Sequence, residues 1–121
     1  MIDDEPDIAF TIKTSLEYTG LFEVDVFNDP RLALSGFNPN QYDLAILDIK
    51  MPHMDGFNLC QRLMNLDNRI KICFLTAADL SYYEEIASDM MNVLGRDCFI
   101  YKPINNEDII SKLKSLLTEN E

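Results

Sequence analysis

The residues of this chain that could do chemistry lie where apolar runs end. Asp48 follows the run YDLAIL, and Asp3 and Asp4 follow the opening Met-Ile. Two further apolar runs end in a hydroxyl at Thr76 and in an ammonium group at Lys102. Taken singly, each has an ordinary structural explanation, such as a helix cap, a strand-end residue or a solvated lysine. The side chains at these four run ends together predict a functional site.

Phosphoryl transfer is the chemistry that this set of side chains fits. A carboxylate can attack phosphorus to give a mixed anhydride, but two anions must approach each other, so the charge has to be neutralised. Mg²⁺ prefers carboxylate, carbonyl and water oxygens, which acidic strand ends supply. A lysine adds a compact positive charge, and a threonine adds a hydroxyl donor.

The charge and composition exclude several other functions. Ten basic against 21 acidic residues give a net charge of −11. Such a surface repels phosphate backbones and anionic lipids, so we expect no direct nucleic-acid binding and no membrane association. The sequence shows no membrane-spanning run and no signal peptide, which favours a cytoplasmic location. The three cysteines are widely spaced among apolar neighbours and predict buried thiols.

Apolar periodicity alternates between strands and helices along the chain. This order predicts a doubly wound α/β fold with a parallel sheet, whose carboxyl edge gathers functional residues. We expect Asp29, Asp55 and Ser81 to cap helices and Gly95 to end one. The predicted strands end at residues 3, 27, 48, 76 and 102, and the predicted helices span 6–19, 30–34, 57–66, 81–94 and 107–117.

The first predicted strand is unusually short. Met1-Ile2 is the whole approach to Asp3, whereas a central strand commonly needs about five residues. Two explanations remain open: the strand began earlier in a longer chain, or it is short in this molecule.

Asp-Asp, Asp, Thr and Lys, at four of the five predicted strand ends, resemble the receiver domain of two-component response regulators. The resemblance covers essentially the whole chain in the right order. It implies a flavodoxin-like, five-stranded parallel sheet of order 2-1-3-4-5 with helices on both faces, and a single receiver domain over residues 1–121. It also implies a switch that promotes its own phosphorylation and dephosphorylation without being a multiple-turnover enzyme.

The resemblance assigns a role to each site residue. Asp48 is the phosphoacceptor, receiving its phosphoryl group from a histidine kinase or a phosphotransfer protein. Asp4 is a direct Mg²⁺ ligand, Asp3 a ligand largely through water, and Lys50 a ligand through its backbone carbonyl. Lys102 and Thr76 contact the phosphoryl oxygens.

Signalling is expected to pass through Thr76 and Phe99. In the family the threonine hydroxyl moves toward the phosphoryl group, and an aromatic residue three positions before the lysine, here Phe99, rotates inward. A static core role for Phe99 is the alternative, and we expect Tyr101 to point to the other face of its strand. An effector domain or partner protein would bind the face formed by the fourth helix, fifth strand and fifth helix.

The chain departs from the family pattern between Thr76 and Lys102, which are separated by roughly four residues more than usual, about one helical turn. We expect this turn to extend the fourth helix from near Ser81, with Ile86, Met90, Val93 and Leu94 toward the core. The Lys102 to Pro103 peptide should be cis. His53 should be exposed and chemically silent.

Two other functions use related features. An aspartyl-phosphate hydrolase that depends on Mg²⁺ also has an Asp nucleophile, but it would want a second acid two residues later, where this chain has Lys50. A flavodoxin-like binding module would need a phosphate-binding loop rich in Ser, Thr or Gly after the first strand. Here that position holds Asp-Asp-Glu-Pro.

Overall fold

A computed structural model describes residues 1–77, 80–95, 98–103 and 105–118. From residue 44 onward strands and helices alternate as the sequence predicts, whereas the first two helices follow each other with no strand between them in the described residues. The strands are β1 (Leu44–Asp48), β2 (Lys71–Thr76) and β3 (Phe99–Tyr101). The helices are α1 (Pro6–Tyr18), α2 (Pro30–Ser35), α3 (Gly56–Leu66), α4 (Glu84–Leu94) and α5 (Asn106–Thr118), with a 3₁₀ turn over Leu80–Tyr83.

The sheet is parallel, with strand order β1-β2-β3. Its register aligns Leu47 with Phe74 and Phe74 with Phe99. On the other side of β1, Ile2 forms single parallel bridges to both Leu47 and Phe27. The backbone near Ile2 therefore lies between β1 and the backbone near Phe27.

The prediction of five strands in the order 2-1-3-4-5 is not confirmed, because the described residues contain three strands. Residues 22–27, predicted as an edge strand, pair only at Phe27. Among the described residues, the bridging partner of this segment is the single residue Ile2, so no longer ladder forms. An alternating pattern favours a strand only when a partner of matching length lies beside it.

Two apolar layers cover the sheet. On one face, Leu47 and Phe74 pack with Phe57 and Leu63 of α3. On the other, Ile46, Cys73 and Ile100 pack with Leu16 of α1 and Leu113 of α5. Successive residues of a strand point to opposite faces, so the continuous apolar runs supply both layers. The predicted buried thiols are also observed, since Cys60, Cys73 and Cys98 are all buried and none of them is in a disulfide.

The helix ends largely follow their predicted signals. Asp29 accepts a hydrogen bond from the Arg31 N–H, and Asp55 accepts one from the Asn58 N–H, so both cap as expected. Gly95 ends α4 with a φ of 97°, in the left-handed region that suits glycine. The Lys102–Pro103 peptide is cis, as predicted.

The segment before α4 is helical, as expected, but its first turn is a 3₁₀ turn. Ser81 lies within that turn, and the N-cap of α4 is Tyr83, which makes no side-chain capping bond. Two core assignments were wrong: Ile86 is 43% exposed and Val93 is 71% exposed. The helix instead turns Ala87 inward, and the residues that pack beside it lie three to four positions apart. These are Tyr83, Met90, Met91 and Leu94.

No helix within the described ranges combines the length and the apolar character that crossing a bilayer requires.

Candidate functional site

Asp48 is the last residue of β1, and its side chain is almost completely buried. The Ile49 N–H donates to Asp48 Oδ1 at 2.9 Å. Gly56 packs against the same strand end, with its N–H donating to the Ile49 carbonyl at 2.8 Å. A Cβ on Gly56 would lie 2.3 Å from the Asp48 carbonyl oxygen. Glycine is therefore required for the loop to pass this close to Asp48.

The single-bridge pairing of Ile2 brings the N-terminal acids beside Asp48. The Ile2 N–H donates to the Ile46 carbonyl at 2.8 Å, and the Asp48 N–H donates to the Ile2 carbonyl at 2.9 Å. Asp3 is completely buried, and its Oδ1 accepts the Glu5 N–H at 2.9 Å. These bonds fix the direction in which the Asp3 carboxylate points.

Four carboxylates converge at this edge. One oxygen from each of Asp3, Asp4, Glu5 and Asp48 lies within 4.8 Å of the others. Sequence reasoning found three of them and missed Glu5. The only signal for Glu5 was its place directly after Asp4, and the pattern of α1 did not indicate where a residue before Pro6 would point.

Lys102 is the cation of the site. Its Nζ lies 3.1 Å from Asp3 Oδ2, 3.6 Å from Glu5 Oε1 and 4.0 Å from Asp48 Oδ1. The backbone N–H of Lys102 donates to the Thr76 carbonyl at 2.8 Å, and this bond anchors the backbone of Lys102 to the end of β2. Burial lowers the pKa of the Lys102 ammonium, but the hydrogen bond to Asp3 and the nearby carboxylates outweigh it, and the pKa is raised. Lys102 is therefore charged at neutral pH.

The carboxyl group of Asp48 has an unusual proton affinity. Burial, followed by the negative charge of Asp3, raises its pKa from 3.8 to about 7. The Lys102 ammonium acts in the opposite direction but does not cancel these effects. In a carboxylate with such a raised pKa, the surrounding groups do not fully offset the cost of the negative charge. Binding of a cation beside it, or reaction with an electrophile, is therefore favoured.

Thr76 lies near Asp48 through the register of the sheet, and Lys50 lies near it along the chain. Thr76 ends β2, is completely buried and is aligned with Tyr101 of β3, while Asp48 is aligned with the preceding Leu75. Lys50 lies two residues after Asp48 in the loop, with its side chain exposed. The role of the Lys50 carbonyl as a metal ligand remains a prediction.

Phe99 is buried in a group of aromatic rings behind the site. Its ring lies 5.0 Å from that of Phe74, with an angle of 30° between the planes, and 6.1 Å from that of Phe57. The expectation for Tyr101 was wrong: its ring stacks with Phe99 at 6.4 Å. Residues two apart in a strand share a face, which the prediction overlooked. Tyr101 is 53% exposed, so this pair connects the core to the surface.

Known proteins resemble this chain along its length. A family model described as the response regulator receiver domain matches residues 1–114. The transcriptional regulatory protein TrcR of Mycobacterium tuberculosis is 31% identical over 97% of this chain and 44% of its own length. The alkaline phosphatase synthesis transcriptional regulatory protein PhoP of Bacillus subtilis is 29% identical over 100% of this chain and 48% of its own length. The chain thus spans about half the length of these curated relatives.

Solved structures agree with the sequence comparisons. A CheY-like receiver domain protein from Methanospirillum hungatei is 27% identical, with a TM-score of 0.79 over 98% of this chain and 90% of that one. The receiver domain of the Francisella response regulator 1452 is 30% identical, with a TM-score of 0.76 over 99% of this chain and 95% of that one. The fold around the acidic edge is therefore shared with these proteins.

Proposed function

Because the chain belongs to the response regulator receiver domains, we propose that it is the phosphoacceptor of a two-component system and that Asp48 takes the phosphoryl group. The observation that carries the proposal is the convergence of Asp3, Asp4 and Glu5 on Asp48, with the Lys102 ammonium 4.0 Å from the Asp48 carboxylate. The other acids are placed around Asp48, and the cation faces it.

In the proposed reaction a carboxylate oxygen of Asp48 attacks the phosphorus of a phosphohistidine on a histidine kinase or phosphotransfer protein. The new P–O bond forms an acyl phosphate as the P–N bond to the imidazole breaks, and the imidazole regains a proton from solvent. Asp48 must be ionised to attack. Since its pKa is about 7, the fraction of Asp48 that is ionised and able to attack depends on pH near neutrality in the metal-free protein.

The acidic cluster fits Mg²⁺ as a cofactor. Asp3, Asp4 and Asp48 offer the hard oxygen ligands that Mg²⁺ prefers, and the Lys50 carbonyl is proposed to join them. When bound, Mg²⁺ supplies positive charge that offsets repulsion between the carboxylates and the incoming phosphoryl oxygens. Glu5 is exposed and belongs to the same cluster, so we include it among the residues that attract the cation.

Lys102 is proposed to bind a phosphoryl oxygen. Its ammonium is already held beside Asp48 by the hydrogen bond to Asp3, so little reorganisation is needed when charge builds up on the phosphoryl group. The hydroxyl of Thr76 is proposed to contact another phosphoryl oxygen, since it lies at the end of the neighbouring strand.

The proposed switch links Thr76 to Phe99. Thr76 belongs to β2 and Phe99 to the adjacent β3. The ring of Phe99 stacks on that of Phe74, which lies two residues before Thr76. A shift of Thr76 toward the phosphoryl group would alter the space beside Phe99, and Tyr101, stacked on Phe99, would carry the change to the surface. An effector domain or partner protein is proposed to read this change on the face formed by α4, β3 and α5.

The chain is proposed to act in the cytoplasm as a switch rather than as a multiple-turnover enzyme. With a net charge of −11, it is not expected to bind nucleic acid itself. Since relatives such as TrcR are more than twice as long, the output is assigned to a partner or an additional domain.

Labelling with ³²P-acetyl phosphate tests the proposal. The wild type should incorporate up to one phosphoryl group per chain in the presence of Mg²⁺, and Asp48→Asn should incorporate none. Asp55→Asn is the matched control, because it neutralises an acid in the same loop while retaining a good helix cap. Continuous release of many phosphates per chain would favour the hydrolase, and the absence of any label would favour the binding module.

A further inference from the structure

Asn28 lies beside the acidic cluster and binds the backbone of Asp3. Its side-chain amide donates to the Asp3 carbonyl at 3.0 Å, across 25 positions of the chain. The Asp3 N–H donates in turn to the Phe27 carbonyl at 3.1 Å. Both backbone polar groups of Asp3 are therefore bonded to two consecutive residues of the same neighbouring segment.

The geometry of parallel strands explains why a side chain makes this bond. In a parallel pair, a residue that donates to the Phe27 carbonyl would accept from the N–H two positions later, that of Asp29. The bridge to this segment is made by Phe27, and Asp29 is already the N-cap of α2. The amide of Asn28 thus supplies the donor that the strand pairing would otherwise provide at this point.

The bond matters because the Asp3 carbonyl belongs to the peptide unit that leads to Asp4. That unit is planar, so a fixed carbonyl direction also fixes the nitrogen and the Cα atom of Asp4. The Asp3 side chain is held separately, since its two oxygens accept from the Glu5 N–H and the Lys102 ammonium. Asp4 is half-buried, and its carboxylate belongs to the acidic cluster. The amide of Asn28 therefore acts mainly on the position of Asp4.

We propose that Asn28 is a positioning residue for the metal site: its amide holds the Asp3–Asp4 peptide so that the Asp4 carboxylate faces Asp48 and can bind Mg²⁺. This inference rests on the proposed function, in which Asp4 is a direct ligand of the ion. Replacing a residue that orients a metal ligand commonly weakens metal binding by about 10- to 100-fold. A residue that only closed the turn into α2 would affect stability and leave the affinity for Mg²⁺ unchanged.

Asn28→Leu tests the inference, because leucine has nearly the same size but no donor, and the exposed position leaves room for it. Isothermal titration calorimetry with Mg²⁺ alone should show a dissociation constant raised by about tenfold. At saturating Mg²⁺, the rate of labelling by acetyl phosphate should stay within about twofold of the wild-type rate, because the contacts of Asp48 and Lys102 remain. A loss of affinity without a loss of maximal rate is the signature of a displaced metal ligand.

Ala33→Gly is the matched control. Ala33 is buried in α2, the helix that follows Asn28, and glycine is a poor helix former, so this variant is less stable. It keeps the net charge and the amide of Asn28. Its affinity for Mg²⁺ should therefore equal that of the wild type.

The metal-free protein supplies a readout that does not depend on the ion. Loss of a hydrogen bond to the Asp3 carbonyl changes the electronic environment of the next amide, so the ¹⁵N shift of Asp4 should move in Asn28→Leu and stay in place in Ala33→Gly. An unmoved Asp4 shift, equal Mg²⁺ affinity in Asn28→Leu and wild type, or equal weakening in both variants would overturn the inference and leave the proposed function standing. A wild type that binds no Mg²⁺ would contradict the proposed metal site and the role of Asn28 together.

Discussion

At the scale of single residues, the central feature is Asp48, an acid that lies almost completely buried beside Asp3. Burial and the neighbouring Asp3 raise its pKa to about 7, from an ordinary 3.8. The folded protein therefore keeps a proton that the unfolded chain has already lost between about pH 4 and pH 7. Asp48 therefore contributes less to the free energy of unfolding as the pH rises through that window. In the metal-free protein, its destabilising effect on the folded state is greatest above about pH 7.

Asp48→Asn should remove this pH dependence and make the metal-free protein more stable above pH 7. We expect a gain on the order of 1–2 kcal/mol in the free energy of unfolding, after discounting the repulsion between carboxylates for screening by water. Urea unfolding with EDTA at pH 4 and pH 8 measures it. The gain should be much smaller near pH 4, where Asp48 is protonated in the folded protein and about half protonated in the unfolded chain. An Asn variant that is less stable than wild type at pH 8 would contradict this account.

Lys102→Met should raise the pKa of Asp48 further. The Lys102 ammonium lies 4.0 Å from Asp48 and lowers that pKa, so its loss removes the nearest positive charge. We expect an increase of about one unit, which a pH titration of the carboxyl carbon by ¹³C NMR would report. Lys102→Arg, which keeps the charge, should shift it much less. A lower pKa in the methionine variant would show that Lys102 does not act on Asp48.

At the scale of elements, the loop between β1 and α3 positions the site through one close approach. The N–H of Gly56 bonds to Ile49, and its Cα leaves no room for a methyl group against the Asp48 carbonyl. Gly56→Ala should therefore destabilise the protein by about 1–3 kcal/mol, as overpacking against backbone commonly does.

Gly36→Ala is the matched control for that substitution. Gly36 has a negative φ of −98°, and an added Cβ would meet only the Leu32 carbonyl, at an ordinary 3.5 Å. Thermal or urea unfolding should thus show a large loss of stability for Gly56→Ala and only a small change for Gly36→Ala. A Gly56→Ala protein as stable as Gly36→Ala would mean that the loop relaxes away from Asp48 without cost.

The elements also show what the sequence could and could not predict. Apolar runs located the ends of β1 and β2 correctly and that of β3 to within one residue, at Tyr101 rather than Lys102, because a strand buried on both faces leaves a continuous signal. Residues 22–27 were misassigned because pairing depends on the neighbouring segment, which no pattern within 22–27 records. Ile86 and Val93 were misassigned because periodicity defines a stripe on a helix but not which side of that stripe meets the sheet.

At the scale of the whole molecule, the candidate site was predictable as a set of residue types at strand ends, since parallel strands bring those ends to one edge. The distances were not. That Lys102 pairs with Asp3 at 3.1 Å, or that Glu5 joins the cluster, depends on side-chain directions that follow only from the packed fold. The resemblance to receiver domains supplied roles for these residues, but spacing alone did not.

Binding of Mg²⁺ should stabilise the entire fold, because the ion binds a site that the unfolded chain lacks. At a hundredfold excess over its dissociation constant, we expect about 2.7 kcal/mol of added stability in the wild type. Asp48→Asn should gain less, and Asp55→Asn should gain as much as the wild type. Urea unfolding with and without Mg²⁺ checks this. If Mg²⁺ stabilises none of the three proteins, then Asp3, Asp4 and Asp48 do not share a cation site.

The central claim is that Asp48 receives the phosphoryl group, and mapping the acyl phosphate in the wild-type chain tests it most directly. The protein would be treated with acetyl phosphate and Mg²⁺, then reduced with borohydride, which converts a phosphorylated aspartate to homoserine. Peptide mass spectrometry would then locate the change. We predict homoserine at position 48 and unmodified aspartate at positions 3, 4 and 55. Homoserine at any of those three positions, with Asp48 unchanged, would contradict the account.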